Sequence, residues 1–125
     1  MTFTGVREEY YETGELKSTW FECNGIRDGE YREFYEKGEL YITCNYINGV
    51  LEGEYNQFFR GGKLHITCYY VNGKKEGEYK EFYKNGNFRM TYNYINGVMN
   101  GKLKEYLPNG KLFGEYYYIN GKKED

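Results

Sequence analysis

Residues 53–76 read GEYNQFFRGGKLHITCYYVNGKKE, and the glycine that opens this stretch recurs at Gly5, Gly29, Gly77 and Gly101, always 24 residues apart. Two more glycines keep the same step inside each copy: Gly14, Gly38, Gly62, Gly86 and Gly110 form one set, and Gly25, Gly49, Gly73, Gly97 and Gly121 the other. Self-similarity at such a period marks an array in which each unit covers its apolar surface with its neighbours. One repeat domain over 1–125 is expected, with copies at 5–28, 29–52, 53–76, 77–100 and 101–124. The first and last copies read as caps. Arg7, Ser18 and Glu22 bring polarity to positions that are apolar or aromatic in later copies, and the last copy gains Pro108, Phe113 and Gly114. Polar substitution suits a unit that lacks an outer neighbour.

Each copy holds two β-like runs, as in 30–35 and 40–47, separated by a three-residue segment such as Glu36-Lys37-Gly38 or Pro108-Asn109-Gly110. A type I turn closed by a left-handed glycine wants that pattern, with proline favoured at its first central position. Asn-Gly then follows the second run at Asn24, Asn48, Asn72, Asn96 and Asn120, the strongest short hairpin signal in a sequence. The spacing therefore predicts an all-β fold: a single-layer, elongated, twisted antiparallel meander of about ten strands, built from five 24-residue hairpins. At ~4.8 Å per strand such a sheet extends roughly 45 Å.

Alternation assigns the faces. Leu40, Ile42, Cys44 and Tyr46, with their equivalents in the next copies, line one apolar face, where Phe34, Phe58 and Phe82 are expected opposite Leu40, Leu64 and Phe88. The other face is expected to carry Tyr31, Tyr55 and Tyr79, then Tyr35, Phe59 and Tyr83, together with Thr43, Thr67 and Thr91. Those six aromatic residues are the candidate partner-binding face, because aromatic side chains are favoured interface anchors.

Composition agrees with an open sheet. Only 39% of residues are hydrophobic, alanine is absent, and 17 tyrosines supply apolar area while keeping their hydroxyls wet. Lys and Arg total 17 against 19 Asp and Glu, with both signs in every copy. This balance offers neither the electropositive footprint that nucleic acid needs nor a polybasic attraction to an anionic membrane, so neither partner is expected. No run is long enough for a transmembrane helix, and nothing at the start reads as a secretory signal. A cytoplasmic location is expected.

No catalytic, metal or cofactor site is legible. His65, the one histidine, stands where other copies have Lys17, Tyr41, Arg89 and Phe113, without an orienting carboxylate or nucleophile in its pattern, and is expected on the strand surface. Cys44 and Cys68 share a repeat position two strands apart, about 9.6 Å, beyond the reach of a disulfide. With Cys23 they are expected to be free, half-buried thiols. Glu33, Glu81 and Glu105, like Glu30, Glu54 and Glu78, are expected to be solvated positions that keep tyrosine-rich strands soluble.

The Asn-Gly-x-x-x-Gly-Glu-Tyr segment, as at 72–79, and the later Asn-Gly-x-Leu segment, as at 109–112, resemble the MORN repeat in the variant found in YwqK-type bacterial antitoxins. The resemblance implies an extended, twisted, single-layer antiparallel sheet of hairpins, and the lack of a legible catalytic set points to a non-enzymatic role. The expected function is a repeat scaffold that binds another protein. An antitoxin that neutralises a toxin by direct binding is the alternative, and lipid association follows only from the family's name. An apolar face left open further suggests a homodimer.

Overall fold

The computed structural model describes residues 2–124. They contain strands β1 (Gly5–Tyr10), β2 (Leu16–Cys23), β3 (Ile26–Phe34), β4 (Leu40–Ile47), β5 (Val50–Leu51), β6 (Gly53–Phe58), β7 (Leu64–Val71), β8 (Lys74–Lys75), β9 (Gly77–Phe82), β10 (Phe88–Ile95), β11 (Val98–Met99), β12 (Gly101–Tyr106), β13 (Leu112–Ile119) and β14 (Lys122–Lys123). All join one sheet in the order β1-β2-β3-β4-β6-β7-β9-β10-β12-β13-β14, with β5, β8 and β11 extending the hairpins of β4, β7 and β10. Every pairing is antiparallel, as expected of the meander.

Four two-residue strands raise the count from about ten to fourteen. Three of them, β5, β8 and β11, arise because the strand is interrupted beside Gly53, Gly77 and Gly101, whereas β3 runs unbroken through Gly29; the fourth, β14, closes the last Asn-Gly hairpin. From Tyr46↔Leu51 to Ile42↔Gln57, β4 moves back four residues while its partner advances six. Gly53 absorbs the excess in the left-handed region, at φ 87°, where a Cβ would be strained. The excess is even, so the faces stay in phase.

Both turn predictions hold. Asn24, Asn48, Asn72, Asn96 and Asn120 have φ of 49–54°, and the glycines after them 78–84°, which is the type I′ geometry matched to strand twist. In the three-residue turn, the Tyr35 amide donates to Glu39 O at 2.7 Å and the Gly38 amide to Tyr35 O at 2.9 Å. Pro108 occupies the first central position of the equivalent turn, where the Gly110 amide reaches Leu107 O at 2.9 Å.

The face assignment requires a correction. Phe34 does pair with Leu40, but the next pair is Glu33 with Ile42, followed by Arg32 with Thr43 and Tyr31 with Cys44. Tyr41 is an extra residue, a β-bulge, and the same slip occurs at Lys17, His65, Arg89 and Phe113. One extra residue exchanges the faces of everything beyond it. Tyr31, Tyr55 and Tyr79 therefore share a face with Ile42, Cys44 and Tyr46 and not with Thr43; Phe34 and Leu40 lie on the opposite face.

Burial is one-sided as a result. Cys44, Cys68 and Leu103, the buried apolar residues, all lie on the tyrosine face. Ser18 is another correction: expected to face water in the cap, it is the most buried side chain, 1% exposed, and donates to Glu9 Oε1 at 3.0 Å. A small hydroxyl with an acceptor fits beneath Tyr31, where Ile or Met stands in the three middle copies and Gly114 in the last.

Candidate interaction face

On the tyrosine face, equivalent side chains form two parallel rows. The inner row is Tyr31, Tyr55 and Tyr79. Tyr31 lies between Trp20 and Tyr46, with ring centroids 5.8 and 6.2 Å away, and its hydroxyl donates to Glu33 Oε1 at 2.9 Å. The Arg27 guanidinium covers the rings of Trp20, Tyr31 and Tyr46 at 4.6, 4.9 and 5.4 Å. Tyr55 packs on Tyr70 at 5.8 Å, and Tyr79 stacks on Tyr92 at 4.9 Å under Lys75. All three are half-buried. Burial pushes the Tyr31 and Tyr55 hydroxyls up to about 12, and that of Tyr79 in the same direction. This row is the floor of the face.

The outer row runs along the three-residue-turn margin. Here Tyr35 donates its hydroxyl to Phe58 O at 2.6 Å, as Tyr11 does to Phe34 O and Tyr83 to Tyr106 O at 2.6 and 2.7 Å. Each such bond ties a turn to the following copy. Phe59 fills the same position without a hydroxyl, so this link is missing between the third and fourth copies.

Over this outer row stand the bulge residues. Tyr41 meets Tyr35 with centroids 4.6 Å apart, His65 stacks on Phe59 at 4.1 Å and 20°, and the Lys17 ammonium is 5.9 Å from the Tyr11 ring. Arg89 turns instead to Glu81, at 2.7 Å, and His65 Nε2 lies 3.9 Å from the same carboxylate. His65 is thus a half-buried bulge residue, not a plain surface position on a strand. Glu33 and Glu81 are likewise half-buried among aromatic rings on this face, contrary to the solvated role expected of them. The residue types that differ from copy to copy mark a common structural position: a bulge beside a ring in the first four copies, Tyr11, Tyr35, Phe59 and Tyr83, and beside Leu107 in the last.

The six sequence-selected aromatics thus share one face, divided between floor and margin. The bulge row was missed, its residue types having no chemistry in common. The thiols are free, with Cys44 and Cys68 buried and Cys23 exposed instead of half-buried. Among the described residues no cluster of His, Cys, Asp or Glu could hold a metal ion, and no helix is long and apolar enough to cross a membrane.

An open meander whose units contact only their neighbours and present a repeated surface is a tandem-repeat architecture. The MORN repeat variant matches residues 3–21, 27–48, 51–72, 75–96 and 99–120, and the chain belongs to that repeat family. No curated protein matches it in sequence. A chain from a crystal structure of a GtfA/B complex bound to UDP and GlcNAc aligns with TM-score 0.36 and 14% identity, over 92% of this chain and 24% of that one. A likeness of that size carries no argument about function.

Proposed function

We propose that this protein is a non-catalytic scaffold that holds another protein along the turn margin of its tyrosine face. The observation that carries the reading is the bulge row. Lys17, Tyr41, His65, Arg89 and Phe113 project at one position of five copies while the backbone beneath them stays constant. A fixed lattice with interchangeable side chains is how repeat proteins build extended recognition surfaces. In this reading Tyr35, Phe59 and Tyr83 are contact residues beside the bulge row, and Tyr31, Tyr55 and Tyr79 hold the platform in shape.

Affinity capture from the native source is the direct test. A stoichiometric partner is expected, and replacing Tyr41 and Phe113 together by Ala should weaken its binding about tenfold or more, as for two moderate anchors, with the circular dichroism unchanged. Retention of the partner at full affinity would remove the bulge row from the interface. Neutralisation of a toxin is a special case of the same binding. Rescue of cells expressing a toxin encoded beside this protein's gene would support that case, and absence of rescue would count against it.

A further inference from the structure

The two turn types lie on opposite margins of the meander, so charge along one margin can be read as a series. On the three-residue-turn margin the first two copies are acidic, with Glu12, Glu15, Glu36 and Glu39 against Lys37. The last three carry Arg60, Lys63, Lys84 and Lys111 and no acid in the turns themselves. Although the whole chain is nearly neutral, this margin is strongly asymmetric.

Within its basic part, a cleft of about 340 Å³ between the third and fourth copies is lined by Phe59, His65, Phe82, Tyr83, Lys84 and Arg89. Phe59 is where the tyrosine hydroxyl bond to the next copy is missing, and His65 stacks on its ring. The Lys84 ammonium lies 5.9 Å from the Phe59 ring and the Arg60 guanidinium 5.1 Å from that of Tyr35. Neither cation, nor Lys63, has a carboxylate partner among the described residues. The nearby acids have partners of their own: Glu81, beside His65 at the cleft, is paired with Arg89, and Glu39 accepts from the Gly61 amide. Lys84 unpaired beside the aromatic floor, with Arg60 and Lys63 in the adjoining turn of the third copy, leaves a margin complementary to carboxylates carried on an extended segment.

We propose that this cleft docks an acidic segment of the partner protein, with Lys84 as the charge contact in the cleft, the Phe59–His65 stack as its floor, and Arg60 meeting the segment one copy further along the margin, over the Tyr35 ring. The assignment rests on the scaffold reading and names the chemistry of the partner. An acidic chain running along the margin meets cations in the last three copies and repulsion in the first two, which fixes both where it sits and where it stops.

The test is fluorescence anisotropy at low salt with two labelled peptides, one of alternating Glu, Tyr and Gly and one with Gln replacing each Glu. The acidic peptide is expected to bind and the neutral one not. The pair Arg60→Glu and Lys84→Glu should lower affinity about tenfold, as two reversed rim charges do, and the milder Arg60→Gln with Lys84→Gln should lower it less. Lys74→Glu with Lys122→Glu, on the Asn-Gly margin, should change nothing. Equal binding of the two peptides, or equal loss from both charge-reversed pairs, would overturn the proposal. So would self-association that disappears with Lys84→Glu, which would assign the cleft to the acidic turns of a second copy. If neither peptide binds while partner capture still depends on the bulge row, this assignment fails and the scaffold reading stands.

Discussion

At the scale of single residues, the thiols and phenols give the sharpest expectations. Burial raises Cys44 and Cys68 to about 11, so at pH 8 almost none of either is the reactive thiolate. Iodoacetamide should label Cys23 alone in the folded protein and all three cysteines after denaturation, and mass spectrometry counts the adducts. The same shifts set the alkaline limit of the fold. Cys44, Cys68, Tyr31 and Tyr55 hold their protons more tightly folded than unfolded, so the stability they contribute is complete below the unfolded values, near 9 for the thiols and 10 for the phenols. It is lost as pH rises through about 11 and 12. Denaturant midpoints should fall steadily above about pH 9; a flat profile to pH 11 would contradict this. Tyr35→Phe removes the hydroxyl bond to Phe58 O and should cost about 1 kcal/mol. Phe59→Tyr should act in the opposite direction, through a new bond to the Phe82 carbonyl.

At the scale of the hairpin, the two turns were fully legible, because Asn-Gly and the left-handed glycine are demanded by backbone geometry. The tip pairs Phe34–Leu40, Phe58–Leu64 and Phe82–Phe88 followed from them. What lay one residue further did not, since a bulge can be filled by Lys, Tyr, His, Arg or Phe and leaves no compositional mark. A signal was nonetheless present. Placing Tyr31 beside Thr43 leaves Ile42, Cys44 and Tyr46 without the large cross-strand partners their burial requires. A second feature was hidden by distance along the chain. The side chains of Thr4, Asp28, Glu52 and Glu76 accept from the backbone amides of Asn24, Asn48, Asn72 and Asn96 at 2.6–3.0 Å, each partner lying twenty residues on. Glu52→Ala should therefore loosen the turn at Asn72 and cost about 1–2 kcal/mol, a charge-assisted bond being stronger than a neutral one. Gly49→Ala combines φ of 80° with a Cβ only 2.9 Å from Ile26 Cγ2. It should destabilise by more than 1 kcal/mol or so, read from the same denaturation curves.

At the scale of the whole molecule, the 24-residue step keeps every copy in phase with every other. Excising residues 53–76 should therefore join the second copy to the fourth without exchanging faces and leave a folded four-copy sheet of lower melting temperature. Loss of the β-sheet circular dichroism would show that the third copy is indispensable. Self-association belongs to this scale too, because the face opposite the tyrosines exposes Val6, Tyr10, Phe21, Tyr69, Phe88, Leu112 and Tyr117. A homodimer that covers them is expected, and light scattering that showed a strict monomer at high concentration would rule it out. The bonds that seat the Asn-Gly turns point in one direction. Gly49, Gly73, Gly97 and Gly121 donate their amides to Arg27, Leu51, Lys75 and Met99 O at 2.7–2.9 Å, so each turn is received by the copy that precedes it. For a chain leaving the ribosome N-terminus first, the docking site of every new hairpin has already been made when that hairpin emerges. Growth of the sheet can then follow the order of synthesis, and a nascent chain stalled after any whole copy would expose one unfinished edge.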